Sequence, residues 1–466
     1  MSELLQRHWF TFHSLVVLAG LATYIVFSRT LRQRRHPSAA IAWVISLVLI
    51  PYAALPLYLL LGNRKVVHAG LRKKAPQAAG EFERALPPVE RLAAALGLPP
   101  VVSYEDLRLH STGAEALGAL REMLGAARRS IDLCTFIFGR DVLGDEVSAL
   151  LMRRAREGVR VRLLIDGVGV YLGGRPDLKR LEQAGVQVQL FVTPWRSALR
   201  GRTNLRNHRK MLLVDESWLW CGGRNMAAEY FEGDGTSGVE PWLDLTFDLR
   251  GDLVRQACAR FDLDWAFAAE ERAATPRPIP ANPLAQSAPE RAQLIASGPD
   301  QLDDTVYTLL VSGCFTARSR ILIVTPYFVP DPALLTALVL AARRGVVVDL
   351  LVPMHSNHML ADIARRAAMR DLAAVGARIW ALPGMVHAKA VVIDEQLALA
   401  GSANIDERSL FLNYELMVAF HDAQAVARIS AWIEQQMARA TRREPRPPTL
   451  ARELSEGLVR WLAFQL

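Results

Sequence analysis

Two stretches of the chain share one pattern: HRKMLLVDESWLWCGGRN at residues 208–225 and HAKAVVIDEQLALAGSAN at residues 387–404. In both, Lys follows the first His by two positions, Asp by seven and Asn by seventeen. A single His-x-Lys is weak evidence for a site, whereas two copies in one register are strong evidence, and they indicate two similar halves with one chemistry. The shared positions are His208, Lys210, Asp215 and Asn225, repeated as His387, Lys389, Asp394 and Asn404.

The spacing places the His and the Lys of each copy on one face of a strand, because side chains at i and i+2 point the same way. The apolar residues after each Lys continue that strand into the core. A Gly-Gly or Gly-Ser pair then lets the backbone approach closely before the Asn. Two facing half-sites would offer two imidazoles, two ammonium groups and two amides. This set suits a phosphodiester, whose charge increases in the five-coordinate transition state.

The two imidazoles are the expected reactive groups. One would attack phosphorus while the other protonates the leaving alcohol, and the residues alone leave open which His does which. We expect no metal and no other cofactor, because lysine and asparagine side chains would bind the phosphate oxygens. The predicted phosphate-binding residues are Lys210, Asn225, Lys389 and Asn404.

Four acidic residues have two different expected tasks. A nucleophilic His is held in one tautomer by a carboxylate at its other ring nitrogen. Asp244 in WLDLTF and Glu415 in NYELMV lie downstream of the motifs in strand-like runs, and we predict that they orient the histidines. The alternative is two surface acids on edge strands. Asp215 and Asp394 belong to the catalytic motif by position, but we expect them to support it by capping a turn or pairing with Lys.

The sequence around the motifs also repeats. An apolar strand (131–138 or 321–328), a helical pattern and a second apolar strand (159–166 or 346–353) occur in each half. This alternation predicts an α/β fold of two repeats, each a mixed sheet flanked by helices. The predicted parts are a membrane hairpin at 1–65, a linker at 66–104, the first repeat at 105–274, a Pro- and Ala-rich linker at 275–290, and the second repeat at 291–466, which ends in an amphipathic helix.

The N-terminal part contains two stretches without Asp, Glu, Lys or Arg, each long enough to cross a hydrocarbon layer of roughly 30 Å. We predict spans at about 9–28 and 39–61, joined by a basic turn. A cleaved signal peptide fits poorly because a second apolar run follows. Pro51 and Pro56 would bend the second span or make it re-entrant. Six basic residues against four favour both ends in the cytoplasm, a margin that leaves the side of the catalytic part open.

The composition fits a membrane-associated protein with anionic partners. Hydrophobic residues make up 51% of the 466 positions, and the net charge is +8, which suits lipid headgroups, membrane surfaces or nucleic acid. The four cysteines form no Cys-x-x-Cys pair, which argues against a zinc site. Basic residues before the first motif would hold headgroups or form a solvated loop: Arg196, Arg200, Arg202, Arg206 and Arg209.

The repeated pattern resembles the HxK(x)4D(x)6G[GS]xN motif of the phospholipase D superfamily, over about residues 105 to 466. RRHPSAAIAWVISLVLIP at the second apolar run, together with IASGPD, TPYFVP and GSANIDERSLFLNYE, resembles the bacterial cardiolipin synthases within that superfamily. The resemblance implies two repeats packed face to face around one active site, and double displacement through a phosphohistidine. It assigns the nucleophile to His208 and the general acid to His387. One departure is Gly223, where many relatives have Ser, and we expect it to shift substrate preference only.

The implied reaction transfers a phosphatidyl group between two phosphatidylglycerol molecules, giving cardiolipin and glycerol. The expected partners are phosphatidylglycerol, other anionic phospholipids and the bilayer of a bacterial inner membrane, which the chain would cross more than once. No nucleic acid partner is expected. A phospholipase D using water, or a phosphatidylserine synthase using serine, would have the same residues. A nuclease of the superfamily usually has one motif per chain and no hairpin, and an inactive scaffold would not keep two complete motifs.

Overall fold

The structure is a computed structural model, and most of the chain is described in it. The described residues are 2–30, 37–62, 86–193, 203–232, 240–270, 288–301, 303–444 and parts of 447–459. The predicted basic turn of the hairpin and the Pro-rich linker therefore lie largely outside the described residues.

The N-terminal part forms three helices: α1 (Ser2–Thr30), α2 (Pro37–Leu49) and α3 (Pro51–Leu61). By length and composition, α1 is able to cross a bilayer over His8–Val26. The second predicted span is not one helix, because Pro51 has no N–H to donate to the preceding turn and α2 ends before it. The rings of Trp43 and Tyr58 lie 5.1 Å apart, whereas a continuous helix would separate these residues by about 22 Å. Helices α2 and α3 therefore fold back on each other.

The segment predicted as the first linker contains structure that belongs to the second repeat. It forms α4 (Pro88–Ala95) and β1 (Val102–Ser103). Val102 pairs antiparallel with Ala292, and Ala93 is fully buried in the core of the second repeat. The Glu90 carboxylate lies 2.7 Å from the Arg291 guanidinium. Part of 66–104 is thus an extension of the second sheet rather than a linker.

The first repeat alternates strands and helices before it ends in an antiparallel ladder. Its elements are β2 (Glu105–His110), α5 (Gly113–Ala126), β3 (Ser130–Thr135), α6 (Val142–Arg156), β4 (Arg160–Asp166), α7 (Gly169–Leu172), α8 (Leu178–Gln183), β5 (Gln187–Phe191), β6 (Met211–Val214), β7 (Trp218–Gly222), a 3-10 turn (Ala228–Tyr230), β8 (Thr246–Arg250) and α9 (Asp252–Ala268). Local sequence sets these bounds: α5 begins at a capping box in which Thr112 and Glu115 bind each other's backbone.

The second repeat follows the same order. Its elements are β9 (Arg291–Ser297), α10 (Thr305–Thr316), β10 (Arg320–Val324), β11 (Phe328–Val329), α11 (Pro332–Arg343), β12 (Val347–Pro353), α12 (Met359–Ala374), β13 (Arg378–Leu382), β14 (Ala390–Ile393), β15 (Leu397–Gly401), β16 (Ile405–Asp406), α13 (Glu407–Phe411), β17 (Glu415–Phe420), α14 (Ala423–Ala438) and β18 (Thr441–Arg442).

Both sheets are mixed, and the seven strands of the first correspond in order to seven of the nine strands of the second. The first has the order β2-β8-β7-β6-β3-β4-β5, and the second has β1-β9-β17-β15-β14-β10-β12-β13-β18. Strands β3, β4 and β5 are parallel, as are β10, β12 and β13. The motif strands β6 and β14 run antiparallel to β3 and β10, with Met211 opposite Cys134 and Ala390 opposite Val324. Each His-x-Lys therefore lies beside the carboxyl ends of the parallel strands.

The two sheets pack against one core. Leu213 of β6 and Val392 of β14 belong to the same buried cluster, together with Phe261 of α9 and Ile429 of α14. Helices α5 and α6 cover the outer face of the first sheet, and α10 and α11 cover the outer face of the second. The α/β prediction of two helix-flanked repeats is confirmed.

Candidate active site

The backbone of each motif is fixed to the opposite repeat. The N–H of His208 donates to the carbonyl of Tyr414 at 2.9 Å, and the N–H of His387 donates to the carbonyl of Leu243 at 2.7 Å. Short parallel bridges accompany both contacts. The histidine of each repeat is therefore held beside the residue that precedes the other repeat's acid, because Glu415 follows Tyr414 and Asp244 follows Leu243.

Each histidine contacts a carboxylate across the interface between the repeats. Nδ1 of His208 lies 3.0 Å from Oε1 of Glu415, and Nδ1 of His387 lies 2.7 Å from Oδ2 of Asp244. A carboxylate at Nδ1 fixes the tautomer and leaves Nε2 as the reactive nitrogen. The structure thus brings together all four side chains predicted to react or to orient, and it pairs them crosswise.

The two lysines are buried next to the imidazoles. Nζ of Lys210 donates to the backbone carbonyl of His208 at 2.7 Å. Nζ of Lys389 lies 2.8 Å from Nε2 of His387 and also donates to that residue's carbonyl. The strand that was predicted to begin at each histidine starts one residue after each lysine, at Met211 and Ala390. The His-x-Lys segments thus lie just before the first residue of an interior strand in each sheet.

Both imidazoles are neutral near neutral pH. Burial lowers the pKa of His208 to about 4, against the opposing effect of Glu415, and the ammonium groups lower it further. Burial, followed by the charge of Lys389, lowers the pKa of His387 to about 3. In both cases, the lysine of the opposite repeat also lowers the pKa of the histidine. Each half-site therefore acts electrostatically on the other, as parts of one site would.

The pKa values of both lysines are low enough that a bound anion would change their protonation. Burial lowers the pKa of Lys210 to about 8, although Glu415 and Asp244 raise it. Burial lowers the pKa of Lys389 to about 7, again against the effect of Asp244. A phosphodiester has one negative charge, so its arrival would favour the protonated form of both lysines. The pair therefore forms a site whose cations are stabilised by the ligand.

The carboxylate behind His208 is itself held by hydrogen bonds. Oγ of Ser402 donates to Oε2 of Glu415 at 2.5 Å, and Nδ2 of Asn413 donates to Oε1 at 3.3 Å. Burial raises the pKa of Glu415, but His208 and Lys210 outweigh burial and the net direction is down. Glu415 is consequently an ionised, oriented acceptor.

The half-site around His387 is built differently. Gly223 occupies the position of Ser402, and a Cβ there would lie 2.3 Å from Oδ1 of Asp244. Oδ1 accepts instead from the N–H of Leu245, at 2.8 Å. The fully buried guanidinium of Arg224 donates to the carbonyl of Tyr230. Burial raises the pKa of Asp244, but His387, Lys389 and Arg224 lower it overall. In this half-site, the charge of Arg224 rather than a serine hydroxyl thus favours the ionised form of Asp244.

The two motif asparagines are buried, in different settings. Oδ1 of Asn225 accepts from the N–H of Ile137 at 3.2 Å. Within the described part of the chain, Oδ1 of Asn404 has no hydrogen-bond partner. Phosphate binding by their amide groups stays a prediction.

Asp215 and Asp394 lie at the far ends of the motif strands, away from the histidines. The carboxylate of Asp215 accepts three backbone N–H groups, from Arg128, Arg129 and Ser130. That of Asp394 accepts the three equivalent groups at 318–320. Both residues have a positive φ, 54° and 53°. This position allows a structural role in fixing the start of the adjacent strand and places no catalytic group near phosphorus.

Three aromatic rings that the sequence analysis did not single out line the imidazoles. The ring of Phe136 lies 5.1 Å from that of His208. Tyr230 and Trp242 lie 4.9 and 5.5 Å from His387. Phe136 stands in an apolar run, where an aromatic residue is normally assigned to the core, whereas Tyr230 follows Glu229 in a mixed segment. The position of Phe136 in the repeated strand 131–138 is the one sequence signal that pointed to the site.

The basic stretch before the first motif is in part structural. Nη1 of Arg206 lies 3.2 Å from Asp166, and Nη1 of Arg209 lies 2.5 Å from Asp264. Both arginines are buried. These two do not offer charge to a headgroup, and the other three members (196, 200 and 202) lie outside the described residues.

The fold and the paired half-sites define a two-repeat α/β protein of the phospholipase D type. A family model described as "Cardiolipin synthase, PLD-like domain" matches residues 120–240 and 315–437. A second, described as "Phospholipase D-nuclease N-terminal", matches residues 17–63. The chain belongs to the cardiolipin synthase family of phospholipase D-like proteins.

Curated relatives agree with this assignment over nearly the whole chain. Cardiolipin synthase A of Pseudomonas aeruginosa PAO1 is 32% identical over 442 residues, covering 91% of this chain and 89% of the relative. Cardiolipin synthase of Geobacillus thermodenitrificans is 31% identical, covering 86% and 83%. A crystal structure of phosphatidylserine synthase from Haemophilus influenzae matches with a TM-score of 0.62 at 13% identity, covering 81% of this chain and all of that one, which shows the fold alone. The predicted family and phosphatidyltransferase class are confirmed, and both fit a membrane protein with phospholipid substrates.

Proposed function

We propose that the protein transfers a phosphatidyl group from one phosphatidylglycerol to the glycerol hydroxyl of a second, releasing cardiolipin and glycerol. The observation that carries the proposal is the crossed arrangement of two neutral imidazoles. Each is bound at Nδ1 by a carboxylate of the opposite repeat and lies beside a buried ammonium group. The relatives' printed names, which describe cardiolipin synthases, support the same reaction.

In the first step, Nε2 of His208 attacks phosphorus, and the bond between phosphorus and the oxygen of the glycerol headgroup breaks. The leaving oxygen takes a proton from His387. His387 is neutral in the free protein, so it must gain this proton as the anionic substrate binds. The substrate phosphate favours that protonation, because it offsets the charges of Lys210 and Lys389, which lower the pKa of His387.

In the second step, neutral His387 takes the proton of the incoming glycerol hydroxyl. That oxygen attacks phosphorus, the bond between phosphorus and Nε2 of His208 breaks, and His387 is again protonated. Glu415 stabilises the positive charge that His208 acquires while it is phosphorylated. Lys210 and Lys389, together with the amides of Asn225 and Asn404, stabilise the phosphoryl oxygens in both transition states.

The membrane arrangement follows from the N-terminal helices. We propose that α1 crosses the bilayer and that α2 and α3 form a re-entrant pair beside it, so that a second full crossing is not required. The proposed domain limits are those of the sequence analysis, with residues 86–104 assigned to the second repeat. With one full crossing, the N-terminus and the catalytic part lie on opposite sides of the membrane, which differs from the two-span prediction of both ends in the cytoplasm. Cytoplasmic placement of the catalytic part is tested by protease protection in oriented inner-membrane vesicles.

The decisive experiment incubates the purified full-length protein with phosphatidylglycerol in mixed micelles and follows products by mass spectrometry. Cardiolipin and glycerol in equal amounts support the proposal. Phosphatidic acid without cardiolipin would show transfer to water, and phosphatidylserine formed on adding serine would show the other acceptor. Either result as the main reaction contradicts the proposal. His208→Ala and His387→Ala should each abolish turnover, with Arg153→Gln on the exposed face of α6 as a folded control.

A further inference from the structure

A second polar cleft lies on the outer side of the second repeat. It has a volume of about 520 Å³ and is formed by α12, by β18 at the edge of the sheet, and by the chain that follows β18. None of its lining residues contacts the catalytic histidines. The lining contains five arginines, two glutamates and two apolar side chains, Met369 and Pro448. The arginines are Arg366, Arg370, Arg442, Arg443 and Arg452.

Among the residues that line the cleft, five arginines outnumber two glutamates, and the carboxylates of Asp371 and Glu453 lie close enough to raise the pKa of Arg370. Arg370 is paired with the buried carboxylate of Glu456, at 2.5 Å. Among the residues that the structure describes, no carboxylate lies within ion-pair distance of Arg366, Arg442 or Arg443. Guanidinium groups that converge without a counter-charge repel one another. An anion in the cleft would remove that repulsion and would accept their hydrogen bonds in the planar geometry that arginine offers to phosphate.

The charges of Arg366 and Arg443 also act on Arg365, a buried neighbour of the cleft. Arg365, beside the cleft on α12, is 2% exposed, and among described atoms its Nη1 has no hydrogen-bond partner. Burial lowers the pKa of Arg365, the carboxylate of Asp362 at 2.9 Å raises it, and the charges of Arg443 and Arg366 lower it again, so the net direction is down. The potential therefore extends from the surface arginines into the helix.

The cleft is separate from the catalytic site. His358, which precedes α12, packs edge-on against the ring of Tyr327, with centroids 5.2 Å apart. Arg366 and Arg370 lie further along α12, roughly 10 to 17 Å from its first residue at 1.5 Å per residue. An anion bound there would not reach the reacting phosphorus.

The cleft also has an apolar side that favours an amphiphile. Pro448, which is partly exposed, forms part of its wall, and Leu450, two residues further on, is 74% exposed. A free phosphate would use the arginines only, whereas a phospholipid would also cover these side chains.

We propose that this cleft is a second phosphate-binding site, which takes the headgroup of an anionic phospholipid outside the catalytic centre. The choice of a lipid over inorganic phosphate rests on the proposed function, which places the protein among such lipids. The anion site itself rests only on the arginines. Its occupancy would attach the outer edge of the second repeat to an anionic membrane surface.

The test counts bound lipids by native mass spectrometry on full-length His208→Ala protein in detergent micelles. This background prevents turnover, so binding is measured even if the proposed reaction is wrong. Dioleoylphosphatidylglycerol or zwitterionic dioleoylphosphatidylcholine is added, with and without millimolar inorganic phosphate. Arg366→Gln with Arg443→Gln removes two cleft charges. Arg153→Gln with Arg156→Gln removes two exposed charges of α6 and is the matched control.

We expect the cleft variant to retain one phosphatidylglycerol fewer, with affinity for that lipid reduced about tenfold or more. The control and the phosphatidylcholine series should be unchanged. Equal retention by the cleft variant and its parent would overturn the site. If inorganic phosphate displaces the ligand and phosphatidylglycerol shows no advantage over phosphatidylcholine, the lipid is overturned as the source and a free-phosphate site remains.

Discussion

Replacing Glu415 by Gln tests the crossed pairing of the two repeats most directly. In the structure, Glu415 accepts at its two oxygens from His208, at 3.0 and 3.1 Å, and from Ser402 at 2.5 Å. Gln keeps the volume and one acceptor but loses the charge that stabilises a positive or phosphorylated imidazole. Positioned acid–base partners contribute about 10²- to 10⁴-fold in rate. We therefore expect kcat to fall by that factor, about 3 to 5 kcal/mol of transition-state stabilisation, with little change in KM.

The assay distinguishes the roles of the two histidines by changing the leaving group of the substrate. Glycerol must be protonated as it leaves, whereas p-nitrophenolate leaves without a proton. With phosphatidyl-p-nitrophenol, Asp244→Asn should still release a burst of p-nitrophenolate equal to the enzyme concentration, because only the partner of His387 is altered. Glu415→Gln should show no such burst, and its protein, denatured in detergent at neutral pH, should contain no phosphohistidine, whereas the parent should. Glu434→Gln, an exposed carboxylate on α14, is the control for loss of one charge.

Two outcomes would refute the reasoning. Near-normal turnover of both substrates by Glu415→Gln would show that the carboxylate does not act through His208. A burst that survives in Glu415→Gln but disappears in Asp244→Asn would exchange the roles of the two histidines. Either result leaves the fold intact and changes the chemistry assigned to it.

Three further outcomes follow from the same contacts. On the acid side, kcat/KM should fall as the pH approaches the pKa of His208, which burial lowers to about 4. On the alkaline side, it should fall between about pH 7 and 8, because Lys389 and Lys210 lose their protons there. Activity that still rises above pH 9 would contradict the phosphate-binding role of the two lysines. Asp215→Ala leaves three backbone N–H groups without their acceptor, so the free energy of unfolding should decrease by about 1 to 3 kcal/mol by thermal denaturation, with normal activity per folded molecule. Ser402→Ala removes the 2.5 Å donor to the first histidine's carboxylate and should lower kcat about tenfold, while an unchanged kcat would show that the hydroxyl is dispensable.

The difference between the half-sites explains why the first motif has Gly223 where the second has Ser402. A serine at Gly223 would place its Cβ 2.3 Å from the Asp244 carboxylate, so the side chain would have to move. Arg224 instead supplies a buried positive charge near Asp244. The glycine and the arginine are thus parts of one arrangement, in which the shorter acid is stabilised by charge rather than by a hydroxyl donor.

The sequence by itself determined the repeat, the α/β class and the eight motif residues, because strand periodicity and a duplicated spacing are local properties of the chain. It also indicated that Pro51 would interrupt the second apolar run. It also indicated that Asp215 and its counterpart end their strands and either cap a turn or pair with Lys, and the structure shows the backbone contacts of a turn.

Only the tertiary structure decided which acid serves which imidazole. Glu415 follows the second motif in the chain but contacts His208, and Asp244 follows the first motif but contacts His387. The reason is physical: the two sheets pack face to face, and the segments before the acids form backbone hydrogen bonds with the opposite repeat. Side chains that are 207 and 143 residues apart thereby share one site, and burial within it, rather than any residue type, lowers the pKa of both histidines and both lysines.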